Sequence, residues 1–156
     1  TLFATLASIN RRVGAVSLIG FGTETGWGAG LVEKFNLFRG ELRGLPSSAR
    51  EDVVMLLDRD VLVLGDEEEL LSGFLRIEAR TGASVVFGAE ASCGSPTCKA
   101  QEHLAERRNV TGPWTHLNAG LIAGRVWAMR GMLRDRVDLA QCARWNCRHD
   151  QELFEA

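Results

Sequence analysis

The residues of this 156-residue chain best placed to do chemistry are two carboxylates one residue apart, Asp58 and Asp60, directly after the run Val53-Val54-Met55-Leu56-Leu57. Five apolar residues without alternation predict a strand buried on both faces, and ligands of open α/β sheets bind at the carboxyl ends of their strands. Two hard oxygen donors in that place suit Mn²⁺ or Mg²⁺, ions that keep open positions for substrate phosphates. The same pair also suits a solvated turn that merely ends a strand, because Asp-x-Asp is short and common.

Four cysteines fall in two pairs of equal spacing, Cys93 with Cys98 and Cys142 with Cys147. Zinc-ligand pairs more often enclose two residues on a tight knuckle, so disulfides in an oxidising compartment are expected instead. Pairing 93 with 98 and 142 with 147 closes the shortest loops; two other connectivities stay open. Asn109-Val110-Thr111 is a glycosylation sequon in a polar segment, which points to the same compartment. The reading is a lumenal protein of the endoplasmic reticulum or Golgi, or a secreted one.

The elements that must position these groups follow from apolar periodicity. Leu2, Phe3, Leu6 and Ile9 mark a helix over 2–12, and Ala15 to Phe21 reads as a short strand. Gly22 to Gly30 holds four glycines in nine residues, a loop that matches no phosphate-binding fingerprint. Leu31, Phe35, Phe38 and Leu42 form one stripe of the next helix, with Lys34 off the stripe. Asp66 with Glu69 makes a capping box for a helix whose face is Leu70, Leu71, Phe74, Leu75 and Ile77, and Gly82 supplies the stop. That helix accounts for the acidic run 66–69, which is not recruited as a metal site. Ser84 to Ala89 is a further strand ending at Glu90, and Ala91 to Pro113 a long polar loop. The small residues of Asn118-Ala119-Gly120-Leu121-Ile122-Ala123-Gly124 leave room for a ligand or another backbone. Val126, Met129, Met132 and Leu133 mark a helix, and His149-Asp150-Gln151 opens a last helical piece.

A hydrophobic fraction of 46% is enough for one core, so residues 1–156 are read as one domain. A net charge of -2 with no basic stripe gives no footprint for a nucleic-acid partner. No apolar run approaches the roughly 18 residues of a membrane span, so no transmembrane segment is expected in this piece.

In order, Leu57-Asp58-Arg59-Asp60-Val61-Leu62, Val85-Val86-Phe87-Gly88-Ala89-Glu90, Leu117-Asn118-Ala119-Gly120 and Asp150-Gln151-Glu152-Leu153-Phe154 resemble a GT-A type nucleotide-sugar glycosyltransferase. They are most similar to the glycosyltransferase domain of procollagen lysyl hydroxylases and collagen galactosyltransferases, with glycogenin-like transferases next. The resemblance implies an α/β, Rossmann-type, mostly parallel sheet flanked by helices. It implies hexose transfer from a UDP-sugar donor to a protein or glycan acceptor, hydroxylysine-type acceptors included. Mn²⁺, with Mg²⁺ as the substitute, would be held by Asp58 and Asp60. Asn118 and Gly120 would line the donor-sugar pocket, Gln151 would face the reacting sugar or acceptor, and Asp150 would be the catalytic carboxylate. Lys34 matches a lysine that follows the family's glycine-rich loop and approaches the nucleotide.

The sequence also departs from the lysyl hydroxylase pattern. Its acids are one residue apart, as in the wider superfamily; Gly94 follows Cys93 where tryptophan is usual; and His149 replaces an aspartate. The family's first strand would precede Thr1, and none of His103, His116 or His149 takes the place of its downstream metal-binding histidine. The expectation is therefore a domain incomplete at both ends. The alternative function is a noncatalytic GT-A-like binding or structural module of a larger secreted protein.

Overall fold

The computed structural model describes residues 29–92 and 111–136, together with residues 16, 17, 19, 20, 102, 106, 107 and 109. These residues form a mixed α/β structure: helix α1 (Ala29–Gly44), a 3₁₀ turn (Ser47–Glu51), strand β1 (Val53–Leu57), helix α2 (Glu67–Thr81), strand β2 (Val85–Glu90), strand β3 (His116–Arg125) and helix α3 (Val126–Gly131), which runs into a π-helical turn (Met132–Arg136).

The three strands pair in the order β1-β3-β2, and both ladders are antiparallel. This corrects the mostly parallel sheet for the described strands. Because β1 and β2 each oppose β3, they run in the same direction, as the strands of a β-α-β unit do, but β3 is inserted between them. Apolar runs specify burial and do not specify the direction of a neighbour, so the pattern could not distinguish the two arrangements. Nor is β1 buried on both faces, as the run of apolar residues predicts; it lies at the edge of the described sheet. It pairs with β3 alone among the described residues, and only Leu56 of its five residues is fully buried.

The core lies between this sheet and the helices that follow the stripe pattern. Phe35, Phe38 and Leu42 of α1 pack with Leu56, Ala119, Ile122, Met129 and Leu133. Phe35 and Phe38 meet edge to face, with centroids 5.8 Å apart and planes at 86°, the geometry that ring quadrupoles favour. Ile122 and Met129 are wholly buried, and each such side chain contributes roughly 1.5–3 kcal/mol through removal from water.

Helix α2 starts as expected. Asp66 Oδ1 accepts from the Glu69 N–H at 2.9 Å, and Glu69 Oε2 accepts from the Asp66 N–H at 3.1 Å. Gly82 ends it with φ 71°, its N–H donating to the Glu78 carbonyl at 2.7 Å. Its apolar face is narrower than expected, however: Phe74 is buried, while Leu71 and Leu75 are 41% and 38% exposed. Those two sit a turn apart and about 100° around the axis from Leu70 and Phe74, beyond the edge of the buried stripe. Arg125 ties this helix to the sheet end. Its Nε and Nη2 donate to the two Glu78 carboxylate oxygens at 3.0 and 2.6 Å, Nη1 donates to the Glu51 carbonyl, and its guanidinium lies 5.7 Å from the Phe74 ring centroid.

The helix expected over 2–12, the four cysteines and the last helical piece lie outside the described residues. Of the strand expected over 15–21, residues 16, 17, 19 and 20 are not in a strand, although Ile19 packs on the core. The segment 91–113, expected as loop, contains helical residues at 102, 106 and 107. Asn109 and Thr111 are exposed, as a sequon requires.

Candidate functional site

The site is built where β1 ends. The Asp58 N–H donates to the Gly120 carbonyl at 2.8 Å, the last bond between β1 and β3, and the Val61 N–H then donates to the Asp58 carbonyl at 3.1 Å. That second bond turns the chain through Arg59 and Asp60. Asp58 is thereby half-buried beside β3, and Asp60 stands exposed on the turn.

Strand β3 is irregular opposite this point. Phe87 pairs with Ile122 but the next residue, Gly88, pairs with Asn118, so residues 119–121 bulge away from β2. Bulges recur where a sheet must aim groups at a ligand. Here the bulge releases main-chain groups from the ladder. The Gly120 N–H donates to Asn118 Oδ1 at 2.8 Å, and Asn118 Nδ2 donates to Glu90 Oε2 at 3.2 Å. The Ala119 carbonyl accepts a longer bond from Lys34 Nζ at 3.4 Å.

Lys34 reaches the site from α1. Its ammonium donates to both oxygens of Asp58, at 2.9 and 3.0 Å, with side chains only 14% and 30% exposed. This is a half-buried ion pair. Being off the apolar stripe placed the side chain at the border of the core, next to the strand end. The space above Gly120 is crowded by polar side chains. A Cβ on it would come within 2.9 Å of Asn118 Oδ1 and 3.3 Å of Asp58 Oδ2.

Lys34, Asp58, Glu90, Asn118 and Gly120 therefore meet in one polar cluster, with Asp60 at its margin. Asp150 and Gln151 lie outside the described residues, so neither is placed relative to it. In the sequence Glu90 is visible only as the end of a strand and of the Val85 to Glu90 motif, with no role at the site. The signal that could have placed it with Asn118 is that both are polar residues at the ends of apolar strands.

Next to the cluster, His116 opens β3 opposite Glu90. It is buried, and its Nδ1 has no hydrogen-bond partner among the described residues.

For a divalent ion the donor set is sparse. No group of three or more His, Cys, Asp or Glu side chains converges among the described residues. Asp60 is an accessible hard oxygen donor, whereas Asp58 already shares both oxygens with an ammonium. The residues fit Mn²⁺ or Mg²⁺ as an ion held by one or two carboxylates and completed by phosphate oxygens, which is how such ions often bind beside nucleotides. They do not make an all-protein cage. Among the described residues no helix is long and apolar enough to cross a membrane. No protein-family model matches the chain, and no curated protein matches it significantly.

Proposed function

We propose that the chain carries the donor side of a metal-dependent GT-A type glycosyltransferase, which moves a hexose from a UDP-sugar to a protein or glycan acceptor in the secretory lumen. The observation that carries the reading is the convergence of Lys34, Asp58, Glu90, Asn118 and Gly120, from α1 and three strands, at the carboxyl end of β1. These include four of the residues that the family resemblance assigns to the donor.

Asp60, with Asp58 beside it, would hold the cation. Mn²⁺ or Mg²⁺ there supplies electrostatic relief for the charge on the departing diphosphate. Lys34 fixes the Asp58 carboxylate and adds a positive charge at the same edge. Asn118, oriented by Glu90 and by the Gly120 N–H, presents its remaining amide hydrogen, and Gly120 keeps the floor free of side chain. Asp150 would orient a sugar hydroxyl or take the acceptor proton. That role requires hydrogen-bond reach, roughly 2.6–3.2 Å.

The test is calorimetric titration of UDP in the presence of Mn²⁺. Asp60→Asn should remove most of the metal-dependent binding; unchanged binding would overturn the reading. For the chemistry, Asp150→Asn should lower turnover by about 10²-fold or more, with UDP affinity and melting temperature nearly unchanged.

A second reading, a noncatalytic GT-A-like module, is favoured by the Lys34–Asp58 pair, because an ammonium on both oxygens makes Asp58 a poorer cation ligand. Absence of any UDP binding by the wild-type protein, with or without Mn²⁺, would select it.

A further inference from the structure

Away from this cluster, a cavity of about 130 Å³ opens between the second half of α1 and the α3 and π-helical segment. It is lined by Arg39, Leu42, Arg43, Arg130, Leu133 and Arg134. The four arginines come as two i,i+4 pairs, one from α1 and one from the α3 and π-helical segment, and the two leucines that line the cavity with them are almost completely buried. In a chain whose net charge is -2, this is a local concentration of positive charge.

Part of it is structural. Arg130 Nε and Nη2 donate to the Leu42 and Leu45 carbonyls at 2.8 and 2.7 Å, which satisfies groups at the end of α1. Arg43, in the last turn of the same helix, is stabilised by the negative end of its dipole. Neither role explains why Arg39 lines the same cavity. Arg39 spends one N–H on Asn36 at 2.7 Å. Arg39, Arg43 and Arg130 form no ion pair with a described carboxylate. Guanidinium groups keep their charge at any accessible pH and offer planar forks that match phosphate oxygens. Arg39, Arg43 and Arg130 bring three such groups to one concavity, where like charges repel unless an anion is seated between them.

We propose that this cavity is a binding site for a compact diphosphate-class anion, held chiefly by Arg39 and Arg43 against the fixed Arg130. Its volume suits a small polyanion and is too small for a whole nucleotide sugar. It is also separate from the Asp58 cluster: Arg39 and Leu42 lie about 7.5 and 12 Å along α1 from Lys34, at roughly 1.5 Å per residue. The site therefore stands or falls independently of the transferase reading.

The probe is inorganic pyrophosphate, titrated calorimetrically into the full protein in EDTA, so that no divalent ion contributes. Sodium chloride at matched ionic strength is the control. The expected result is saturable binding that Arg39→Gln/Arg43→Gln weakens by about tenfold or more, as loss of two charge-assisted contacts requires. Asp60→Asn should leave this binding unchanged. Arg43→Gln alone, at an exposed residue, gives the same comparison should the double variant unfold. Equal affinity in wild type and variants, no binding by the wild type, or an equal response to sodium chloride would each overturn the proposal.

Discussion

Replacing Gly120 with alanine tests whether the cluster at the end of β1 is held together as the structure describes. Gly120 is not at positive φ, so alanine brings no backbone strain. Alanine would even gain roughly 0.4–1 kcal/mol by restricting the unfolded chain. Against that, the new Cβ would sit 2.9 Å from Asn118 Oδ1, the atom that accepts the Gly120 N–H. The amide must shift, which weakens this bond and the Asn118–Glu90 bond with it. One lost hydrogen bond costs about 0.5–1.5 kcal/mol net, and about 1–3 kcal/mol where a buried donor is stranded. The loss outweighs the gain, and Gly120→Ala should destabilise by about 1–2 kcal/mol, or roughly 2–8 °C in melting temperature for a chain of this size. Urea denaturation should show a lower midpoint at unchanged slope. Because Asn118→Ala breaks the same bonds, the double variant should be less destabilised than the sum of the singles. A Gly120→Ala protein as stable as wild type, or additive with Asn118→Ala, would refute the account of the bulge.

Gly124→Ala should be at least as damaging without touching the polar cluster, since its Cβ would lie 2.9 Å from both Met129 Cγ and the Ser84 carbonyl; a loss of about 1–3 kcal/mol in denaturant melts is expected from overpacking. Asp66→Ala removes the cap of α2 and should cost about 0.5–2 kcal/mol, measurable by thermal unfolding. Bonding to Arg125 holds the Glu78 carboxyl below its ordinary pKa. Its contribution is therefore fully present above the unfolded-state value and lost as pH falls through the folded-state value. Melting temperature against pH in the acid range should fall less steeply for Glu78→Gln than for wild type.

The local devices of the fold were legible because their partners lie three or four residues away. The Asp66–Glu69 box, the Gly82 stop and the Phe35, Phe38, Leu42 stripe are written in short windows, and each acts there through i,i+3 or i,i+4 geometry. Within the candidate site, the pair Asp58 and Asp60 and the segment Asn118 to Gly120 stood out by residue type. What could not be read was which of them touch.

The sequence by itself determined the strands over 53–57 and 85–90, the α1 stripe that carries the core, the cap and stop of α2, and that a carboxylate pair follows an apolar strand, but neither the non-strand residues of 15–21 nor the width of the α2 face. Tertiary structure alone decided that β3 enters between β1 and β2 in the opposite direction, that its bulge releases Ala119 and Gly120, and that Lys34 closes on Asp58 across 24 residues. The same holds for Arg125 reaching Glu78 from 47 residues away. The physical reason is range. A cap or an apolar stripe is satisfied within one or two turns of chain, whereas strand direction and ion-pair partners are settled only when distant segments compete for the same edge or charge.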